Sequence, residues 1–584
     1  MNGGSVFSSW TNCCHGFSRS VRRRIPIGFK SELIELLKLA WPMFMAQLLS
    51  FLVSFVSTVF CGHLGKTELA GVVLAIAVIN VTGISIGSGL SSACDTLISQ
   101  TFGSGNLLRV GLVVQRAILI LLLACFPCWA LLVNTELLLL AVQQSPEVAR
   151  LAQTYVEIFM PALPASFMYS LEVRYLQNQG IIWPQVITGV VVNFINAFIN
   201  YILLYVLDMG VAGSAIANAI SQFAMAGILF LYIWGKGLHK STWTGWSGEC
   251  LTEWGIFIRL AIPSMLMLCV EWWTYEIGSF LAGVISEVEL GAQSVVYELA
   301  NVAYMFPLGV SIAGSVRVGN ALGAGVTEQA KLSAKLTILC SGLLSSCLSV
   351  ILASLKDHIS FVFTYDEEIR QRVAEVLTLY APFLVLDALA VSSGSIIRGA
   401  GMQRVGAICG LVGYYGIGFP IGVSLMFAAK LGIKGLWIGL LICVALQSCF
   451  LIGYLARMDW KKVTVESQVE GGHWGSSNPA PAYWESPVLT AKLSSSLSIC
   501  FIFLSDPGGE PDSPTLQGCD TQAEDPADPT DEPANSTEAP LFCPARPGLS
   551  FPSLVLRRGL ALAAMLSILA VGILTNLLTP RVVT

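Results

Sequence analysis

Long apolar runs separated by short polar segments dominate the chain. A helix needs about 20 mostly apolar residues to cross roughly 30 Å of hydrocarbon. Runs of this length lie at about 36–61, 69–93, 112–133, 150–176, 184–206, 211–235, 257–285, 290–314, 332–355, 371–397, 404–428, 433–457 and 559–578. The pattern therefore predicts two sets of six membrane helices and, after a polar stretch, a thirteenth.

These runs divide the chain into six regions. They are a cytoplasmic N-terminal segment (1–33), an N-lobe of six transmembrane helices (34–240), an inter-lobe linker (241–256), a C-lobe of six transmembrane helices (257–460), a cytoplasmic linker (461–557) and a thirteenth transmembrane helix (558–579). Most of the cytoplasmic linker is rich in Pro, Ser, Asp and Glu, which is typical of disorder. The predicted fold class is an all-α polytopic membrane protein.

The composition supports this class and excludes a soluble one. Hydrophobic residues make up 54% of the 584 residues and charged residues only 12%, whereas roughly a quarter of the residues in soluble domains are charged. Basic residues cluster at the N-terminus and in alternate loops. By the positive-inside rule we expect the N-terminus and the cytoplasmic linker inside the cell and the C-terminus outside.

An internal repeat with an offset of 221 residues relates the two sets of helices. The matching segments are Leu39–Pro42 with Leu260–Pro263, Glu68–Gly71 with Glu289–Ala292, Pro161 with Pro382, and Gly180 with Gly401. Six helices per copy is an even number, so the repeats are parallel and are related by an axis along the membrane normal. Two such bundles enclose a cleft, and rocking one against the other gives alternating access.

Motifs for other sources of energy are not found in the sequence. The segment Gly62–Thr67 resembles a phosphate-binding loop, but that loop needs a glycine where the chain has Phe60. The histidines and cysteines show no metal-ligand spacing, and no constellation of nucleophile and base is present. We therefore expect no cofactor, no metal and no catalytic residue, and we expect an ion gradient to supply the energy.

Four carboxylates lie inside predicted spans of the second set: Glu271, Glu276, Glu298 and Asp387. Charged residues inside a membrane are costly and usually face an internal cavity. At the offset of 221 their counterparts in the first set are Ser50, Phe55, Ala77 and Ser166. The sequence therefore predicts a proton and cation site whose acidity is confined to the C-lobe.

Aromatic and amide side chains accompany these acids and predict the lining of a substrate cleft. They are Trp272 and Tyr275 near Glu271, and Tyr297, Asn301 and Tyr304 near Glu298. Aromatic rings can hold a cation over their π faces, although Trp and Tyr also form belts at membrane interfaces. An organic cation and a proton that compete for the same carboxylates would be exchanged for each other.

Several segments closely resemble the multidrug and toxin extrusion (MATE) family, namely Ser57–Gly65, Gly89–Leu97, Val270–Trp273, Val316–Gly323 and Arg398–Gly401. The resemblance runs from about residue 30 to 462, and the thirteenth span is similar to that of vertebrate members. It implies a proton-coupled antiporter that exports organic cations, drugs and toxins across the plasma membrane, often the apical membrane of epithelial cells.

The resemblance also carries functional residues over onto Glu271, Glu276, Glu298, Cys61 and Cys125. Asp387 stands where animal members usually have Glu, and Leu384 stands where a His is often found. We expect Glu271 and Glu298 to be the leading proton and cation sites, with Glu276 and Asp387 modulating them.

Other functions stay open at this point. Sodium coupling, which some members of the family use, and a flippase for lipid-linked substrates are the alternatives to proton coupling. A receptor or channel would be a different class, and an intramembrane enzyme is the least favoured. The expected partners are small organic cations, protons and the lipid bilayer, with no nucleic acid.

Overall fold

The computed structural model describes residues 28–62, 64–363, 365–471 and 551–579, and within them the chain is almost entirely helical, with no strand. The α-helices of the N-lobe are α1 Phe29–Gly62, α2 Lys66–Ile79, α3 Ser85–Ser91, α4 Ala93–Gly103, α5 Leu107–Leu132, α6 Thr135–Ala141, α7 Pro146–Phe159, α8 Leu163–Gln177, α9 Trp183–Tyr201 and α10 Gly210–Gly235. Those that follow are α11 Trp254–Ile285, α12 Glu287–Gly323, α13 Thr327–Leu355, α14 Glu367–Gly399, α15 Gln403–Leu411, α16 Phe419–Phe427, α17 Ile433–Arg457, α18 Trp460–Gly471 and α19 Phe551–Leu578.

Twelve helical stretches of the described chain are long and apolar enough to cross a membrane, and the last of them is formed by α19. The fourth predicted span, at about 150–176, is divided into α7 and α8 by the 3-10 turn Met160–Ala162. Pro161 and Pro164 explain the division, because proline lacks the backbone N–H that continues a helix. The predicted all-α membrane fold is confirmed, with one span broken at its prolines.

The backbone repeats as the sequence does. Gly180 and Gly401, which follow α8 and α14, have φ angles of +76° and +81°. Gly105 and Gly325, which follow α4 and α12, have φ angles of +78° and +79°. A positive φ costs glycine little and commonly ends a helix. Equivalent helices of the two lobes therefore end in the same way.

Each lobe packs around its own apolar core. Phe159 and Phe167 are fully buried in the core of the N-lobe, and Trp437, Tyr380 and Phe383 are buried in the core of the C-lobe. A further apolar cluster is shared between the lobes, where α1 packs against α12.

The inter-lobe linker, 241–256, is fixed to the N-lobe. Gln115 of α5 donates a hydrogen bond of 2.8 Å to the carbonyl of Gly245, and Arg116 forms an ion pair of 2.9 Å with Glu253. The linker therefore belongs structurally to the first bundle.

The lobes contact each other closely where α4 and α12 end, and we call this the closed end. Thr96 donates to the carbonyl of Arg398 over 2.5 Å, and Gln100 donates to the carbonyl of Gly399 over 3.0 Å. A Cβ atom on Gly103 would lie 2.1 Å from the backbone oxygen of Asn320. The two backbones are therefore in direct contact at the closed end.

A buried charge network strengthens the closed end. Glu32, in the first turn of α1, forms an ion pair with Arg317 of α12. The same carboxylate accepts hydrogen bonds of 3.1 Å from Gln329 and 2.5 Å from Ser333. The closed end is thus held by buried charges as well as by backbone contacts.

The predicted cytoplasmic linker, 461–557, is helical at both of its described ends. Residues 461–471 belong to α18, which packs on the closed end, because Thr464 and Thr327 share a hydrogen bond of 2.8 Å and Ser104 donates to the carbonyl of Gly471 over 3.1 Å. The linker is therefore not irregular from its first residue, since one face of α18 is buried. The greater part of the predicted disorder, 472–550, lies outside the described residues.

Candidate functional site

Three helices of the C-lobe bring two carboxylates and a phenol together near the middle of the membrane spans. Glu271 of α11 is half-buried, and its Oε1 accepts a hydrogen bond of 3.4 Å from the hydroxyl of Tyr304 on α12. Asp387 of α14 is 4% exposed, and its Oδ1 has no hydrogen-bond partner among the described residues. The charges of Glu271 and Asp387 act on each other. We call Glu271, Tyr304 and Asp387 the inner cluster.

The carboxylates of the inner cluster are weakly compensated by their neighbours. A hydrogen bond of 3.4 Å is near the long limit and is therefore weak. Arg398 acts electrostatically on Glu271, but its guanidinium donates to Ser395 over 2.6 Å. Two carboxylates close together in a medium of low dielectric constant repel each other. A proton or cation bound between them would relieve that repulsion.

A second acidic group lies toward the end where α11 and α12 join. The hydroxyl of Tyr297 donates to Oε1 of Glu276 over 3.4 Å. Glu298 acts electrostatically on Glu276, and the amide of Asn301 lies beside the Tyr297 hydroxyl. We call Glu276, Tyr297, Glu298 and Asn301 the outer cluster.

The order of the two clusters along the cleft follows from the helices. α11 and α12 form a hairpin that turns at Ser286, whose hydroxyl accepts a hydrogen bond of 3.2 Å from the N–H of Glu289. Glu276 follows Glu271 by five residues, a rise of about 7.5 Å along a helix. The outer cluster is therefore about one and a half helical turns farther from the closed end.

Aromatic rings connect the two clusters to the core of the C-lobe. The ring centroid of Tyr275 lies 6.1 Å from that of Tyr297 and 6.3 Å from that of Trp437. Trp437 also packs edge-on against Tyr380 at 5.4 Å, and its indole N–H donates to Gln293 over 2.9 Å. The sequence did not single out Trp437, Tyr380 or Gln293, because a residue inside an apolar run gives no sign of which helix it faces.

The remaining predicted cleft residues lie elsewhere. Trp272 is half-buried on α11, one residue before Trp273, whose indole donates to the carbonyl of Val81 in the N-lobe over 3.1 Å. Cys61 is fully buried in the core of the N-lobe. Cys125, 1% exposed, lines an apolar cavity of about 490 Å³ between α5 and α19. Neither cysteine belongs to the acidic clusters of the C-lobe.

A further charge network ties the C-lobe together near the α11–α12 turn. Glu289 forms an ion pair with Arg372 of α14 and accepts a hydrogen bond of 2.7 Å from the backbone N–H of Ile433. Arg372 also pairs with Glu375 at 3.1 Å, and Glu375 pairs with Lys434 at 2.7 Å. Because these charges are paired with one another, we infer that the network stabilises the fold. Among the residues that the structure describes, the acids of the inner and outer clusters have no such cationic partners.

The expectation that acidity is confined to the C-lobe is wrong. Glu172 of α8 lies in the N-lobe, and its Oε2 is buried without a hydrogen-bond partner in the described part of the chain. Glu172 is not the counterpart of any of the four C-lobe acids, because its own counterpart at the offset of 221 is Ser393. Both lobes therefore carry a buried carboxylate.

The acids do not assemble into a metal centre. Among the described residues no group of three or more His, Cys, Asp or Glu side chains is arranged to hold a metal ion. The site consists of carboxylates, phenols, an amide and aromatic rings.

Both sets of membrane helices match a known protein family. A family model for MatE matches residues 42–206 and 263–424, which together exceed half of the chain. The two matches begin 221 residues apart, the offset of the internal repeat. The chain belongs to the MatE family. The resemblance stated from the sequence motifs is confirmed.

Vertebrate relatives of the MatE family are similar to this chain over almost its whole length. Multidrug and toxin extrusion protein 1 of Danio rerio is 57% identical over 570 residues, which are 97% of this chain and 94% of that protein. The protein of the same name from Homo sapiens is 52% identical over 550 residues, 94% of each chain. These relatives are named for extrusion, not for catalysis.

A solved MatE structure has the same architecture. The crystal structure of the eukaryotic MATE transporter AtDTX14 aligns with a TM-score of 0.73 and 28% identity, over 76% of this chain and 100% of that one. The fold described above is thus the fold of a membrane transporter family.

Proposed function

We propose that the chain exports organic cations, including drugs and toxins, across the plasma membrane in exchange for protons, by alternating access. The observation that carries this proposal is the inner cluster, in which Glu271 and Asp387 lie close together without a cationic partner in contact. Membership of the MatE family and the names of its vertebrate relatives support a function in efflux.

Each acidic cluster has a role in this exchange. The outer cluster lies farther from the closed end, so a cation or proton moving between the opposite end and the membrane centre passes Glu276 and Glu298 first. The inner cluster binds either the organic cation or a proton, because a buried pair of carboxylates is costly unless something neutralises it. Competition for this pair couples the two movements.

The aromatic side chains supply a surface for the organic part of the substrate. Tyr297 of the outer cluster, Tyr275 and Trp437 form a row of neighbouring rings that leads into the core of the C-lobe. Their π faces attract a cation without requiring a fixed hydrogen-bond geometry. This property suits a transporter of chemically varied cations.

The contacts at the closed end support alternating access. Thr96 and Gln100 of the N-lobe donate to backbone carbonyls of the C-lobe, and such bonds can break and form again as two rigid lobes rock. In the proposed orientation the closed end faces the cytoplasm, because the start of α1 and α18 lie there and the sequence predicts a cytoplasmic N-terminus.

Uptake into proteoliposomes tests the proposal. We expect labelled tetraethylammonium to enter vesicles loaded at acidic pH and diluted into alkaline buffer, with no requirement for sodium. Glu271→Gln is expected to abolish this uptake, whereas Glu287→Gln, an exposed acid in the first turn of α12, serves as the matched control. Uptake driven by a sodium gradient alone would indicate sodium coupling in place of proton coupling. Uptake by the wild type that depends on neither gradient would refute the antiport mechanism.

A further inference from the structure

The N-lobe contains a buried carboxylate next to a buried tyrosine hydroxyl. Oε2 of Glu172 on α8 is buried and has no hydrogen-bond partner among the described residues, and the buried hydroxyl of Tyr169 lies one turn before it, beside Ser50 and Gln185. Buried polar groups are hydrogen-bonded in the great majority of cases. Among the described residues, Glu172 and Asp387 are the carboxylates that have a buried oxygen without such a bond, and a buried carboxylate is costly unless it is paired or protonated.

The internal repeat relates this place to the inner cluster. The counterparts of Glu271 and Asp387 at the offset of 221 are Ser50 of α1 and Ser166 of α8. The hydroxyl of Tyr169 lies beside Ser50. Glu172 follows Ser166 on the same helix by six residues, a rise of about 9 Å. Glu172 thus lies on the helix that corresponds to that of Asp387, but about 9 Å nearer the closed end.

The neighbouring polar groups are already engaged with other partners. Ser50 donates to the carbonyl of Ala46 over 3.0 Å. Gln185 of α9, which also lies beside the Tyr169 hydroxyl, accepts a hydrogen bond of 2.8 Å from Gln177. Neither side chain satisfies Glu172.

The charged groups of the helices packed around α8 are also paired elsewhere. On α8 itself Arg174 forms an ion pair of 2.5 Å with Asp95 of α4. On α5 Arg116 pairs with Glu253 at 2.9 Å, and Arg109 reaches the same acid at 3.7 Å, while α3 and α10 contain no charged residue. Tyr169 is the titratable neighbour on which the charge of Glu172 acts. No cationic side chain of the described chain forms an ion pair with Glu172.

We propose that Glu172 is a second proton-binding carboxylate, which takes up and releases one proton in each transport cycle in addition to the proton exchanged at the inner cluster. A proton is the ligand that fits, because it neutralises the carboxylate and lets it donate a hydrogen bond to the neighbouring hydroxyl oxygen of Tyr169. The binding of a proton stands on the geometry alone, whereas its place in the cycle rests on the proposed function.

Infrared spectroscopy of the purified full-length protein in lipid tests the binding step. Titration over pH is expected to show a protonated-carboxyl band in the wild type that is diminished in Glu172→Gln. The control is Glu157→Gln, because Glu157 is an exposed acid on the adjoining α7 that already accepts a hydrogen bond of 2.9 Å from Gln153. A spectrum of Glu172→Gln identical to that of the wild type at every pH would overturn the proposal.

Proton stoichiometry tests the place in the cycle. The stoichiometry is obtained from the opposed proton and tetraethylammonium gradients at which net transport is zero, here called the balance point. It is expected to be one proton fewer per cation in Glu172→Gln and unchanged in Glu157→Gln. An unchanged balance point would overturn the coupling role. If the wild type shows no proton-driven transport while the infrared band still depends on Glu172, the proposed function fails and proton binding at Glu172 stands.

A conservative variant keeps the test decisive if Glu172→Gln does not fold. Tyr169→Phe retains the acid and removes its neighbouring hydroxyl, so it is expected to shift the midpoint of the Glu172 carboxyl band while leaving the number of protonated groups unchanged. An unshifted midpoint would contradict the proposed pairing of the two residues.

Discussion

The acids of the inner cluster are more weakly partnered than Glu32 and Glu289, two other buried acids. Glu32 and Glu289 each pair with an arginine and accept additional hydrogen bonds, which is how a folded protein stabilises a buried charge. Glu271 has one long bond, from Tyr304. Its carboxylate is therefore available to a ligand that comes and goes.

Tyr304→Phe tests the value of that long hydrogen bond. We expect the affinity for an organic cation to change by about 3- to 10-fold, because a hydrogen bond as long as this one contributes about 1 kcal/mol. Binding of labelled cation to the purified protein provides the measurement. Tyr365→Phe is the control, since this tyrosine is 85% exposed. Equal affinity in Tyr304→Phe and wild type would remove Tyr304 from the site.

At the scale of residues, the sequence located the acids but not their grouping. The cost of a charge inside a membrane was enough to select Glu271, Glu276, Glu298 and Asp387. The structure joins Glu271 with Asp387 and Glu276 with Glu298, whereas the sequence ranked Glu271 with Glu298. That grouping depends on how α11, α12 and α14 are rotated against one another, which a single sequence does not specify.

At the scale of helices, proline and glycine positions explain both the success and the failure of prediction. The apolar runs gave the spans, because their length is set by the thickness of the bilayer. Pro161 and Pro164 divide the fourth span, while Pro382, the counterpart of Pro161, lies inside the unbroken α14. Proline lowers the stability of a helix without determining whether its neighbours hold it together.

The charge network of Glu289 is expected to stabilise the C-lobe. Glu289→Ala leaves the guanidinium of Arg372 and the N–H of Ile433 without this partner, so we expect a loss of about 2–3 kcal/mol of stability. Thermal unfolding of the purified protein in detergent measures the loss. Glu375→Ala should cost less, because Glu375 is 38% exposed and exposed ion pairs contribute little. Equal stability of the two variants would contradict the structural role of Glu289.

The last helix, α19, docks on the N-lobe through small residues and polar bonds. Asn576 donates to the carbonyl of Val133 over 2.8 Å, and Asn134 donates to the carbonyl of Gly572 over 2.9 Å. A Cβ atom on Gly572 would lie 2.8 Å from Ala130. This contact involves α5 and not the acidic clusters.

Gly572→Val is therefore expected to release α19 while preserving exchange. Faster hydrogen exchange in α19, with proton-driven uptake within about 2-fold of the wild type, is the predicted outcome, since small residues permit close helix packing in membranes. Gly559→Val is the matched control, because open space surrounds that glycine. Loss of uptake in Gly572→Val alone would show that α19 takes part in transport.

At the scale of the whole molecule, the contact between the lobes at the closed end corresponds to one of the two states of the proposed transport cycle. Gly103 and Gly323 permit the backbones of the lobes to touch, as a Cβ atom on either would lie about 2 Å from a backbone oxygen of the other lobe. The sequence contained this feature as a repeated glycine, since the two positions are 220 residues apart. It could not show that the two glycines face each other across the cleft.

Gly103→Val is expected to prevent this closure. Transport should fall by at least about 10-fold while the protein still reaches the membrane, because the bulkier side chain excludes one of the two states that alternating access requires. Gly227→Val on α10 is the control, since nothing lies near that glycine. Normal transport by Gly103→Val would contradict the importance of the closed end.

The central claim is that an organic cation and a proton compete for the pair formed by Glu271 and Asp387. The most direct test is to add tetraethylammonium to the purified protein in weakly buffered solution and to follow proton release with a pH-sensitive dye. Our account predicts that the wild type and Glu287→Gln release protons on binding, whereas Glu271→Gln does not. Cation binding without proton release in the wild type, or equal release from Glu271→Gln, would contradict it.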